Sequence, residues 1–290
     1  MAAPNRRIED PVGPISERVS DADFKEIRKF IEVELGVKMP ASKVPMLASR
    51  LRRRVQSLGL KNFEEYGNFV LRSLDGKKEL VAFIDAVTTH KTDFWREPDH
   101  FEFLANVALP KLDASLGVRR TTKVWSAGCS TGEEPYTLAM VLAEHCRTRP
   151  GADFAILATD VSEPVLEHGR LGIYDAERVE PLPSHLASRY VRKSVDKRSN
   201  KVRMAPELRS AISFHPLNFM QEDYRVTDVF DAIFMRNVLI YFDEPTQARV
   251  VRRLCKNLRP GGFFFTGQSE SLARADVPLK HSGPAVYIRH

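Results

Sequence analysis

The chain has 290 residues, 43% of them hydrophobic and 28% charged, the balance of a globular protein with a proper core and not of a disordered or fibrous one. No run of 18 apolar residues exists to span a membrane, and Met1 to Pro14 carries no apolar signal segment. Three cysteines, an odd number without a Cys-x-x-Cys pair, argue against a disulfide framework or zinc cluster and fit a reducing cytoplasm, while the net charge of +6 is a modest excess.

Residues 1–19, punctuated by Pro4, Pro11, Gly13 and Pro14, read as a loose tail. Ser20 with Asp23 opens a capping pattern. Phe24, Ile27, Ile31 and Leu35 then recur at helical spacing up to Gly36. Further helices are expected over about 42–58, from Asn62 to before Asp75-Gly76, and around Leu80–Val87. Residues 20–90 are therefore predicted to be a small all-helical domain. A polar-aromatic segment and a helix from about Pro98 (91–121) link it to the remainder of the chain.

From residue 122 strands and helices alternate. Strands are expected at 123–127, 154–159, 212–215, 231–235 and 262–266, with helices at 133–146, 163–170 and 245–258. This order predicts an α/β fold, a Rossmann-like, mostly parallel, doubly wound sheet over 122–290. The stretch 184–210 interrupts it. Eight basic residues from Arg189 to Arg209 face only Asp196 and Glu207, and the alternation suggests a small antiparallel hairpin on a sheet edge.

The sharpest motif is Gly128-Cys129-Ser130-Thr131-Gly132-Glu133-Glu134, where the first strand turns into a helix. Glycines let the backbone approach a ligand, and free N–H groups at the helix start face it. The dinucleotide pattern G-x-G-x-x-G is unmatched, and two glutamates would repel a pyrophosphate. They suit a cationic ligand such as S-adenosylmethionine. Asp160, closing the second strand, stands where an acid holds ribose hydroxyls, the alternative being a plain helix cap. The same turn formally matches the nucleophile elbow G-x-S-x-G. A hydrolase would need His281 as its base and leaves Glu133, Glu134 and Asp160 unexplained. At the end of the fourth strand, Arg236-Asn237 leads to Tyr241, either a functional hydroxyl or a core aromatic. The Asn/Asp-Pro-Pro-Tyr/Phe run of nucleic-acid amino-methyltransferases is absent there.

Thr88-Thr89 through Phe94-Trp95-Arg96-Glu97, the run Trp125–Tyr136, and Arg236–Asp243 together resemble the CheR chemotaxis-receptor glutamate methyltransferases, and Gly267-Gln268-Ser269-Glu270 is similar to that family's Gly-His-Ser-Glu. The resemblance runs from about residue 20 to the end. It implies S-adenosylmethionine as cofactor, S-adenosylhomocysteine as product, and methyl esters on receptor glutamates as outcome. It places the cofactor among His90, Thr92, Arg96, Glu134, Asp160, Asn218, Phe219, Asn237 and Val238. His90 stands where the family often has Asn, and Gln268 where it has His. Arg96 and Tyr241 are the candidate catalytic groups, Arg96 as a planar cation that orients the acceptor carboxylate.

From Ala41 to Asn62 there are six basic residues and no acid. Arg50, Arg53 and Arg54 share a helix face. That face is either merely solvated or, as the resemblance implies, set against the receptor's helical bundle. Nucleic acid lacks support, since no aromatics interleave. The basic insertion corresponds to a small β-subdomain that in some members captures a receptor C-terminal peptide by strand addition; its glycine-free turn leaves that role open here. The other readings are a cofactor-binding signalling module of weak activity and a nucleic-acid methyltransferase.

Overall fold

The computed structural model describes residues 22–196 and 198–290, so the expected tail, the Ser20 cap and Lys197 lie outside the described residues. The chain forms two compact units that divide between Thr89 and His90.

Among the described residues the first unit has four α-helices: α1 (Lys25–Glu34), α2 (Val44–Ser57), α3 (Phe63–Arg72) and α4 (Gly76–Val87). Apolar side chains at helical spacing make its core, with Phe24, Ile27, Leu47, Leu51, Val55, Phe63, Tyr66 and Phe83 buried. Asn62 caps α3 by accepting the Glu65 N–H at 2.8 Å. Inside this core sits the buried carboxylate of Glu79. Glu79 accepts from Arg54 Nε at 2.8 Å and from the Tyr66 hydroxyl at 2.9 Å.

The second unit opens with an extended segment, then α5 (Pro98–Phe103) and α6 (Leu109–Leu116), joined by a wide turn over Leu104–Ala108. Next come β1 (Thr121–Ala127), α7 (Glu133–Arg147), β2 (Asp153–Asp160), α8 (Glu163–Leu171), β3 (Ile173–Asp175), α9 (Ser184–Tyr190), β4 (Val191–Lys193), β5 (Lys201–Met204) and α10 (Pro206–Ser210). The chain closes with β6 (Ile212–Pro216), β7 (Phe230–Met235), α11 (Glu244–Lys256), β8 (Leu258–Thr266), β9 (Leu279–Gly283) and β10 (Val286–Arg289). The main sheet runs β6-β2-β1-β7-β8-β10-β9. Its first five strands are parallel, as the apolar runs predict, and β10 and β9 add antiparallel at one edge. The order reverses between β1 and β7, which opens a crevice at the carboxyl ends of β2, β1 and β7.

The basic insertion forms the expected small antiparallel hairpin, but not on an edge of the main sheet, which corrects its expected placement. β4 and β5 pair with each other, and β3 pairs with β5, giving a separate three-stranded antiparallel sheet in the order β3-β5-β4. The third strand comes from before the basic stretch and is too short to leave a period-2 signal.

Burial alone would push the Glu79 carboxyl up, but hydrogen bonds from Arg54 and Tyr66 hold it below the usual carboxylate range. Glu79→Ala strands the Tyr66 hydroxyl; with Arg54 38% exposed, the loss should be about 2 kcal/mol, read as a lower urea midpoint. A depressed folded pKa means this contribution is fully present above about pH 4.5 and is lost as pH falls through the folded value. Wild type and variant should therefore converge in acid.

Candidate active site

The Gly128–Gly132 turn is fastened to the neighbouring strand by its own backbone. Gly128 and Cys129 N–H donate to the Thr159 carbonyl at 2.7 and 2.9 Å, and Ser130 N–H donates to Asp160 Oδ2 at 2.9 Å. The glycines are required. Gly128 has φ +87, and a Cβ there would come within 2.5 Å of Val238 Cγ2; Gly132 has φ +100, and its Cβ would meet the Tyr174 hydroxyl at 2.8 Å. The turn is thus pressed against the loop after β7 on one side and the small sheet on the other.

Asp160 is half-buried at the end of β2, with its second oxygen accepting the Ser162 N–H at 3.1 Å. Burial pushes its carboxyl up, against the backbone N–H groups that favour the ionised form. Two oriented oxygens with acceptor capacity left over match the paired hydroxyls of a ribose. Asn218 and Phe219 follow β6, where Leu217 N–H donates to the Asp160 carbonyl at 2.8 Å. Phe219 is only 8% exposed and packs on Tyr224.

The acidic pair is neutralised from within the fold. Glu133 is buried and satisfied by Arg178 at 2.5 Å and by the Thr131 hydroxyl at 2.6 Å. Glu134 accepts from Ser126 Oγ at 2.7 Å and from Arg236 Nε at 2.7 Å. Both charges already have internal arginine partners, so they do not form a bare anionic lip for a cation. A carboxylate offers about four lone-pair sites, however, and Glu134 retains room for a ligand donor.

Arg236 is the residue that sequence reasoning left without a role. Its guanidinium is 2% exposed and spans four groups: Glu134, the Arg96 carbonyl at 2.8 Å, Glu97 Oε2 at 3.4 Å and His100 Nδ1 at 3.1 Å. It also lies 4.9 Å over the Phe101 ring. Burial, then the adjacent Arg236 charge, holds His100 below the ordinary histidine range, so it stays neutral and can accept at Nδ1. An arginine buried at the end of a buried strand needs acid partners, and Glu134 and Glu97 supply them.

Glu97 and Glu270 fix the loop after β7. Asn237 donates its side-chain amide to Glu97 Oε1 at 3.1 Å. Glu270 accepts three backbone N–H groups, from Gly267 (2.6 Å), Asn237 (2.9 Å) and Ile240 (3.1 Å). The family-like Gly-x-Ser-Glu run is therefore a clasp, and Gln268 is exposed beside it. Trp95, Glu97, Ser130 and Asn237 all have φ between +49 and +60. Left-handed backbone at four residues of one neighbourhood is strain that a functional site retains.

Of the expected cofactor residues, His90, Thr92, Arg96, Glu134, Asp160, Asn237 and Val238 are thus linked through one network. The His90 carbonyl accepts from Ser130 Oγ at 2.8 Å, and the Thr92 carbonyl accepts from Arg178 at 2.6 Å. Arg96 spends one donor on the Lys91 carbonyl and is otherwise half-exposed. Tyr241 is half-exposed in the short turn Leu239–Tyr241. In the helical unit, Arg50 donates to the Val87 and Thr88 carbonyls and Arg54 pairs with Glu79, which leaves Arg53 as the exposed member of the three.

The hydrolase reading fails on geometry. Ser130 Oγ donates to a backbone carbonyl, and His281 sits on β9, four strands from β1, about 19 Å at about 4.8 Å per strand. Cys129 offers no nucleophile either, because burial pushes its thiol well up.

Two family models match the chain. The CheR methyltransferase, SAM binding domain covers residues 90–288, and the CheR methyltransferase, all-alpha domain covers 22–88. The chemotaxis protein methyltransferase of Escherichia coli is 39% identical over 272 residues, 93% of this chain and 91% of that one. Chemotaxis protein methyltransferase 2 of Pseudomonas aeruginosa is 37% identical over 265 residues, 91% of this chain and 92% of the relative. Among the described residues no helix is long and apolar enough to cross a membrane.

Arg236→Met removes the cation and leaves Glu134 buried without its counter-charge. The expected loss is about 3–5 kcal/mol of stability, measured by urea denaturation; Arg236→Lys, which keeps the charge but not the fork, should lose less.

Proposed function

The chain belongs to the CheR methyltransferase family, and on that premise we propose that it esterifies glutamate side chains of methyl-accepting chemotaxis receptors. The observation that carries the reading is the convergence of the Gly128–Gly132 turn, Asp160 and Asn237–Val238 at the sheet's switch point, tied to the 90–97 segment. S-adenosylmethionine, when bound, supplies an activated methyl group and leaves as S-adenosylhomocysteine.

Asp160 would hold the ribose, Asn218 and Phe219 would flank the adenine, and His90, Thr92, Arg96, Glu134, Asn237 and Val238 would enclose the methionine part. A glutamate acceptor is already ionised near pH 7, so no strong base is required. Placement does the work: two groups held in line replace a bimolecular encounter. Arg96, with four N–H donors left after its bond to Lys91, can orient the acceptor carboxylate. Tyr241 stands beside it in role, as a hydroxyl that hydrogen-bonds the acceptor or the cofactor. Too tight an ion pair would blunt the nucleophile, so Arg96 positions more than it activates.

The receptor partner is supported by the exposed Arg53 on α2, a cation suited to a glutamate-studded helical bundle. The small sheet, with β4 as an edge strand, is suited to pairing with an extended receptor peptide.

Receptor-containing membranes incubated with methyl-labelled S-adenosylmethionine should take up label that alkali releases, because esters hydrolyse and methylated amines do not. Arg96→Ala should abolish this transfer and weaken S-adenosylhomocysteine binding by no more than about tenfold. Alkali-stable label, or near-normal turnover in the variant, refutes the assignment.

A further inference from the structure

We infer that Arg178 is a positioning residue for methyl transfer: it locks the 90–97 segment to the start of α7 and makes the small three-stranded sheet a wall of the cofactor cradle. The inference rests on the proposed use of that segment in cofactor binding. Arg178 belongs to the short helical turn Ala176–Val179 directly after β3. One of its nitrogens donates to both the Thr92 carbonyl (2.6 Å) and Glu133 Oε1 (2.5 Å), and the other donates to Asp93 Oδ1 (2.9 Å). Three acceptors from two elements are thus gathered by one planar fork, a geometry that a lysine cannot reproduce.

The same stretch makes a second attachment. On β3, the Tyr174 hydroxyl donates to the Thr131 carbonyl at 2.7 Å, and its ring meets Phe94 edge-on at 4.9 Å. Meanwhile the stretch is built into the small sheet. Tyr174 pairs with Val202, Ala176 N–H donates to the Asn200 carbonyl at 2.9 Å, and Met204 N–H donates to the Gly172 carbonyl at 2.9 Å. Residues 172–179 therefore serve two structures at once. They are the outer strand of the small sheet, and they hold the glycine turn and the Thr92-Asp93 backbone in register with each other. No other sheet or helix brackets Thr92 in this way among the described hydrogen bonds. With its side chain 40% exposed, Arg178 has a modest solvation cost and a large geometric role.

The test pairs amide hydrogen exchange on the ligand-free protein with calorimetric titration of S-adenosylhomocysteine. Arg178→Ala should speed exchange in 90–97 and weaken binding by about tenfold, while kcat at saturating cofactor changes far less than KM. Arg178→Lys should fall between, and Arg192→Ala, on the far strand of the small sheet, should match wild type in exchange over 90–97 and in S-adenosylhomocysteine affinity. If Arg178→Ala does not fold, Asp93→Ala breaks the exposed arm of the clamp and should show the same split at smaller amplitude. Unchanged exchange and unchanged affinity would overturn the inference, as would a loss confined to kcat. If the wild type itself fails to bind S-adenosylhomocysteine, the functional reading fails, and the exchange data on ligand-free protein still decide the clamp.

Discussion

A guanidinium that is almost wholly withdrawn from water must be surrounded by acceptors, and Arg236 imposes that demand on everything near the end of β7. Its acceptors come from three separate places: Glu134 in the first turn of α7, the Arg96 carbonyl with Glu97 in the extended segment, and His100 in α5. Drift of any one costs the buried guanidinium an acceptor. The extended segment, which belongs to no helix or strand, is held by these side-chain bonds instead of by a ladder. Left-handed backbone at Trp95, Glu97 and Asn237 is tolerated because this network over-determines it.

The remaining precision comes from backbone fastening. The Thr159 carbonyl takes two N–H groups from the glycine turn, and Glu270 takes three from the loops after β7 and β8. These bonds leave the Asp160 oxygens, the Asn237–Val238 loop and the turn facing one crevice, where the reversal of strand order opens the sheet. Side chains that contact a small cofactor in such a site do little chemistry. They exclude alternative placements, which suits the transfer of an activated methyl group.

Local signals carried most of the fold. Short apolar runs such as Ala232–Met235 read as strands buried on both faces, and the α1 and α2 stripes fix their helices, so the parallel sheet and the four-helix unit were legible from run length, periodicity and glycine stops. The strands β9 and β10 were not: β9 is an edge strand that mixes exposed and half-buried residues, and β10 is four residues long with its two buried residues adjacent, so neither shows a clear period. β3 has three residues and becomes a strand only through β5, 28 residues later. The site obeyed the same rule. Glycines, Asp160 and Asn237 announce themselves by position at strand ends. The arginine partners of Glu133 and Glu134 lie 45 and 102 residues away, and spacing along the chain says nothing about them. Arg236 was visible as a charge closing an apolar strand; what it holds was a tertiary fact.

Calorimetric titration of S-adenosylhomocysteine into the intact protein and into Asp160→Ala tests the strand-end cradle most directly. Micromolar binding, about −8 kcal/mol, that weakens at least about tenfold in the variant is the predicted result. Equal affinity in the two proteins would place the ribose elsewhere and contradict the assembly of the cradle at the ends of β2, β1 and β7.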